Sequence, residues 1–307
     1  MNETNKASLK IGPAQWMVIG LIVSIAAGSI LYRLLIQHHL GHSAAMFIGI
    51  PAVIAILLAL MPKPKTVTGG ILKGITFALL IIAPLLGEGY LCILMASPLF
   101  YLVGIVVGLL VDCLRQKRGA TLSCVLVVLL PMSLEGVVPA LSFNRDQVVE
   151  VRRVVEGPAA LVEQRLAFSP VVTTRLPMAL RIGFPIPLAA WGNGLDIGAK
   201  RIIHFAGAEG DPPGDLTMRV TERREGYVRF ETVSDSSKLT QWIRWDSSEV
   251  EWRRLDPNHT EVKWRVRFER QLDPAWYFAP LERAAVDEAA RYLIQANATP
   301  PVQGRSR

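Results

Sequence analysis

Histidines and a few carboxylates are the residues of this 307-residue chain whose types and spacing admit chemistry. His38 and His42 stand four positions apart, which puts two imidazoles on one face of a helix. With a carboxylate, such a pair can bind zinc or another divalent cation. Glu88 and Glu135 are the carboxylates that a five-span topology with a cytoplasmic N-terminus would bring to the same side. There is no HExxH, and Gly41 ends a helix before His42, so the competing reading is capping and hydrogen bonding at the headgroup level. His204 alternates within a strand pattern and His259 follows Asn258 in a turn, and both read as structural or solvated imidazoles. No nucleophile elbow, P-loop or GxGxxG after a strand occurs, and the pattern calls for no cofactor. Cys92, Cys113 and Cys124 offer neither a disulfide framework nor a CxxC site.

The elements that would position these residues follow from an uneven composition. The chain is 51% hydrophobic and 19% charged, with a net charge of +7. Residues 1–141 hold nine of the 33 Lys/Arg and four of the 26 Asp/Glu, so +5 belongs to an apolar first part and +2 to the rest. A nucleic-acid binder would instead carry a basic face on its soluble domain, so no nucleic-acid partner is expected.

A hydrocarbon core about 30 Å thick needs roughly 20 apolar residues as a helix. Five stretches meet or approach this: residues 16–36, 44–61, 70–86, 90–111 and 120–139. The third is shortest and contains Pro84, so half of a re-entrant hairpin with the fourth is the other possibility. The first exceeds a usual signal-peptide core and is followed by further apolar runs. Basic residues mark alternate loops: Lys6 and Lys10, then Lys63, Lys65 and Lys73, then Arg115, Lys117 and Arg118. By the positive-inside rule these are cytoplasmic. The expectation is an integral protein of a bacterial cytoplasmic membrane, N-terminus inside and C-terminal domain outside, with the lipid bilayer as its first partner. Asp112 is read as a helix end paired with Arg115, and Gly104 with Gly108 as a GxxxG that lets helices approach within the bundle.

After Asn144 the hydrophobic period changes from helix to strand. Gln147–Val155 alternates as a strand and Ala159–Phe168 is helical. Strands are expected at Lys200–Phe205, Leu216–Arg223, Tyr227–Val233, Leu239–Trp245, Glu249–Leu255 and Thr260–Leu272, separated by turn residues. Val262, Trp264, Val266 and Phe268 alternate with charged neighbours, as on a sheet with one solvated face. Leu281, Ala285, Ala289, Tyr292, Leu293 and Ala296 form one stripe of a final helix over Pro280–Ala296. The fold class is therefore a transmembrane α-helical bundle (1–141) followed by an α+β domain (142–298), an antiparallel sheet under a long C-terminal helix, with a short tail at 299–307.

Three segments carry a family resemblance: Val148–Gly157, a strand running into a Gly-Pro that opens a helix; Gly210-Asp211-Pro212-Pro213-Gly214-Asp215-Leu216; and Leu272-Asp273-Pro274-Ala275-Trp276-Tyr277-Phe278 leading into the last helix. Over about residues 145–297 the chain resembles the helix-grip domain of the START-like (SRPBCC) superfamily, including its polyketide cyclase/dehydrase and lipid-transport branches. The resemblance implies a cavity between sheet and last helix that holds a hydrophobic or amphipathic small molecule. Trp242, Trp245, Trp252, Trp264, Phe268 and Tyr292 are the side chains expected to line it, since apolar pockets are walled by aromatics; the alternative is that they fill the core. Three functions are carried forward: a membrane-anchored binding protein for a lipid or isoprenoid, a membrane-interface enzyme using His38, His42, Glu88 and Glu135, and a membrane assembly or scaffold protein.

Overall fold

In the computed structural model of the protein, the described residues are 13–32, 50–62, 64–86, 90–114, 135, 142–169, 176–181, 184–207 and 212–298. The chain divides into two units, Met1–Val128 and Leu129–Arg307.

The first unit contains four described helices: α1 (Pro13–Tyr32), α2 (Ile50–Leu60), α3 (Val67–Leu86) and α4 (Tyr90–Leu114). Each is predominantly apolar, with few polar residues such as Lys73 in α3 and Asp112 in α4, and Pro13 occupies a first-turn position where its missing N–H costs nothing. Helices α3 and α4 meet through glycine. A Cβ on Gly104 would lie 2.4 Å from Ile75 Cδ1, and one on Gly108 would lie 2.6 Å from Thr68 Cα. The GxxxG is thus an internal packing surface, as expected. Asp112 of α4 accepts from the Val67 and Thr68 amides at 2.9 and 3.0 Å and from the Thr68 hydroxyl at 2.6 Å. It therefore caps the N-terminus of α3; Arg115, its expected partner, lies outside the described residues.

Among the described residues one helix, Ile93–Asp112, is long and apolar enough by length and composition to cross a membrane. Gln15–Ser24 and Val67–Ile81 are shorter apolar stretches. A five-span bundle is therefore not supported by the described helices. The expected second span is described as a helix only from Ile50, and of the fifth only Glu135 lies among the described residues. Large apolar side chains of this unit, including Trp16, Leu57, Leu94 and Leu109, are nonetheless exposed.

The second unit is a seven-stranded antiparallel sheet with strands β1 (Asp146–Glu156), β2 (Pro187–Trp191), β3 (Lys200–Phe205), β4 (Gly214–Arg224), β5 (Tyr227–Asp235), β6 (Ile243–Arg254) and β7 (His259–Arg270). Their order is β1-β7-β6-β5-β4-β3-β2. Helix α5 (Ala159–Ala167) and the single turn α6 (Met178–Arg181) fall between β1 and β2, and α7 (Ala275–Ala298) ends the domain. Curled antiparallel sheet plus long C-terminal helix is the helix-grip arrangement. Register shifts interrupt the β2–β3, β4–β5 and β6–β7 pairings, and bulges increase local twist and bend a sheet.

Three elements differ from the sequence reading. Leu239–Trp245 and Glu249–Leu255, expected as two strands, become a 3₁₀ turn (Lys238–Gln241) and one continuous strand, β6. The register passes from Trp245↔Phe268 to Ser247↔Arg267, leaving Asp246 as the extra residue of a bulge. The bulge switches the inward parity from Ile243 and Trp245 to Ser248, Val250 and Trp252, so the alternation reads as two fragments. β2 was hidden by its prolines; Pro187 opens an edge strand, where a missing donor is tolerated. The last helix starts at Ala275, with Pro280 inside it.

The core lies between sheet and helices. Val162 and Leu166 of α5 and Val286, Ala290 and Ile294 of α7 pack against Val228, Val250, Val262 and Val266. The buried stripe of α7 is therefore one position round from the expected one. Leu281 is 36% exposed, whereas Val286, Ala290 and Ile294 are fully buried.

Candidate functional site

The expected stripe of α7 does have a destination. Ala285, Ala289, Tyr292 and Leu293 face a cavity between the helix and the inner face of the sheet. The opposite wall comes from alternate residues of the strands: Arg201, Ile203 and Phe205 of β3, Leu216 and Met218 of β4, Phe230 of β5, Ile243, Trp245 and Ser248 of β6, and Trp264 of β7. Leu176, Leu180, Phe184, Pro185, Pro187 and Leu239, with Val286 and Asn297 of α7, complete the described lining. The cavity has a volume of about 130 Å³.

Of the six side chains expected to line a cavity, the structure brings three together there: Trp245, Trp264 and Tyr292. The other three are buried elsewhere in the same unit. Trp242 ends the 3₁₀ turn and meets Phe184 edge-on at 5.3 Å between ring centroids. Trp252 lies under the Arg223 guanidinium, 5.5 Å from its ring centroid. Phe268 stands opposite Trp245 in the β6–β7 register and belongs to the core. Strand parity gives the buried face for Trp245, Trp252, Trp264 and Phe268; the position along a curled sheet decides whether they meet the cavity or the packed interior.

The wall is apolar with few polar groups, the character of small-molecule sites. The Trp245 indole N–H donates to Ser248 Oγ at 3.2 Å. Asn297 Nδ2 donates to the Leu293 carbonyl at 2.8 Å, and its Oδ1 is buried with no partner among the described residues. Burial pushes the Tyr292 hydroxyl above the usual tyrosine range. The sequence reading missed Arg201, the one charged residue in the described lining. It shares the inward parity of Ile203 and Phe205, and a cation on an apolar parity was the signal that could have revealed it. Arg201 is 6% exposed. Its Nη2 donates to the Leu166 carbonyl at 2.7 Å and its guanidinium carbon sits 4.8 Å from the Phe230 ring centroid. Burial lowers its pKa to about 10, so it remains a cation at neutral pH.

The other candidate constellation is not assembled among the described residues. His38, His42 and Glu88 lie outside them. Glu135 is engaged at the start of α7: its Oε1 accepts from the Ala275 amide at 2.9 Å and lies 3.6 Å from Arg270 Nη2. Arg270 is fully buried and also bonds Asp273 at 2.5 Å, which Arg145 shares at 2.5 Å. Glu282 belongs to the same cluster, accepting from the Leu272 amide at 3.2 Å; burial, the largest influence, pushes its carboxyl up to about 7. No group of three or more His, Cys, Asp or Glu among the described residues could hold a metal ion. His204 bonds Asp215 at 2.6 Å and His259 bonds Asp256 at 2.8 Å, both away from the cavity lining.

No family model matches the chain, and no curated protein matches it. Solved structures do match about half of the chain. A START superfamily protein from Mycobacterium smegmatis is 12% identical over 48% of this chain and 92% of its own, with a TM-score of 0.33. The Zhui aromatase/cyclase from Streptomyces sp. R1128 is 15% identical over 50% and 86%, TM-score 0.29. The ginseng major latex-like protein 151 from Panax ginseng is 14% identical over 47% and 97%, TM-score 0.28.

Proposed function

We propose that this chain is a membrane-anchored binding protein whose C-terminal domain holds a hydrophobic or amphipathic small molecule, such as a lipid or isoprenoid. The observation that carries the reading is the cavity itself: an apolar space under α7 that the sheet and helix leave unfilled. Well-packed interiors hold few voids larger than a water molecule, and an open apolar space of this kind exposes surface that a ligand would cover. Binding requires no reaction.

Anchoring is supported by the apolar runs of residues 1–141, by the Ile93–Asp112 helix, and by the apolar side chains that the first unit exposes. Such outward apolar faces are unfavourable in water and favourable against lipid. The alternating basic loops support a cytoplasmic N-terminus and an extracytoplasmic C-terminal domain in a bacterial cytoplasmic membrane.

Mass spectrometry of organic extracts from the purified full chain tests the binding reading. A hydrophobic compound retained by the wild type and depleted in Ala289→Trp, which fills the cavity from α7, supports it. Equal extracts from folded wild type and variant would sink it. Labelling an Asp256→Cys variant, with the native cysteines replaced, by an impermeant maleimide tests the topology; reaction only after permeabilisation overturns the extracytoplasmic placement.

A further inference from the structure

Arg201 needs a physical account. A cation withdrawn from water is costly unless it is paired, and no carboxylate is among the described residues that line the cavity. Its described contacts are both neutral groups. The Leu166 carbonyl belongs to the last turn of α5, where the helix presents about half a negative charge. The Phe230 ring offers the negative face of its quadrupole. Together they hold the guanidinium against the wall and offset part of its charge. Nη2 is used once, while Nε and Nη1 have no partner among the described residues.

Resting on the reading of the cavity as a ligand site, we propose that its ligand is an amphiphile with a carboxylic acid head, the carboxylate pairing with Arg201 and the apolar tail covering Ile203, Met218, Trp245 and Leu293. The geometry selects the head. A guanidinium is a planar fork of donors that matches the two oxygens of a carboxylate. One buried positive charge is balanced by one negative charge, whereas a phosphate monoester carries about −1.5 to −2 and would leave an uncompensated excess. An alcohol or amide head would leave the cation without a counter-ion, and an amine head would repel it. The rest of the described wall offers no second charge, which suits an alkyl or prenyl tail.

The test uses the full chain in phosphatidylcholine nanodiscs at pH 8, titrated with 11-bromoundecanoate, 11-bromoundecanol and bromoalkyl phosphate of the same chain length. Bromine quenches tryptophan on contact, so Trp245 and Trp264 report entry, and a Trp245→Phe/Trp264→Phe variant sets the bilayer background. The acid is expected to bind about ten-fold tighter than the alcohol, the discrimination of a charge-assisted hydrogen-bonded pair. Arg201→Gln should lose that factor for the acid while leaving the alcohol curve in place, a pattern that a merely structural arginine would not produce. Arg201→Lys, which keeps charge but not the fork, should fall between them and decides the matter if Arg201→Gln does not fold. Equal binding of acid and alcohol by the wild type, or tighter binding of the phosphate, overturns the carboxylate proposal and leaves the cavity reading standing. Quenching by neither acid nor alcohol above background removes both.

Discussion

The Arg201 guanidinium lies 4.8 Å from the Phe230 ring centroid while donating to the Leu166 carbonyl at 2.7 Å. One inward side chain thereby ties β3 to β5 and to the last turn of α5, at the polar part of an otherwise apolar cavity wall. The same contact that positions the cation depends on an aromatic face.

Phe230→Leu should therefore destabilise the domain on the order of 1–2 kcal/mol, from the lost ring contact and the space left behind. Thermal melts of the full chain in nanodiscs, followed by tryptophan fluorescence, check this. An unchanged melting temperature would show that the stacking contributes nothing measurable.

Glu282 makes stability depend on pH near neutrality. Its folded carboxyl titrates at about 7 against an ordinary 4.5, because burial penalises the charged form. The folded state thus holds a proton that the unfolded chain releases between these values. The contribution is fully present below about pH 4.5 and is lost as pH rises through 7. Relative to Glu282→Gln, which keeps the acceptor for the Leu272 amide, wild-type stability should fall between pH 5 and pH 8 by about 2–3 kcal/mol. Parallel curves for the two proteins would contradict this.

Gly108→Leu should separate α3 from α4, since a Cβ there meets the Thr68 backbone at 2.6 Å. Overpacking of this kind costs about 1–3 kcal/mol. Gly20→Ala, where a Cβ meets nothing within 4 Å, should be neutral or slightly stabilising through helix propensity. A lower melting temperature for the first variant and not the second is the expected contrast.

Glu249 is the shared counter-ion of three arginines on the outer face of the sheet: Arg265 at 3.1 Å, Arg267 at 3.2 Å and Arg229 at 3.8 Å. Its side chain is 7% exposed. Glu249→Ala should cost on the order of 2 kcal/mol, because three like charges lose their common partner. Added salt should recover part of the loss by screening the arginines. A variant as stable as wild type at low salt would refute the network's role.

Several features were legible in the residues alone. Val262, Trp264, Val266 and Phe268 alternate with Lys263, Arg265 and Arg267, and that period both makes β7 and decides its inner face. The apolar stripe through Ala285, Ala289, Tyr292 and Leu293 required a covered face for the last helix. The Gly104/Gly108 pair anticipated a close helix contact. In each case the determinant is local: a period in the side chains or a missing Cβ acts wherever the segment lands.

What only the tertiary structure decided is what stands opposite each residue. The Asp246 bulge shifts parity within one strand, so a single β6 looked like two. Trp245 and Trp264 meet the cavity while Trp242, Trp252 and Phe268 are packed against other groups, although all five are buried aromatics. Arg201 reads in sequence as one more polar residue of a charged strand beside Lys200. Sheet curvature and the placement of α5 turn it into a buried cation without a carboxylate partner in the described cavity wall. Alternation specifies a face, and nonlocal packing specifies the environment of that face; the charge, volume and partners that make a binding site belong to the second.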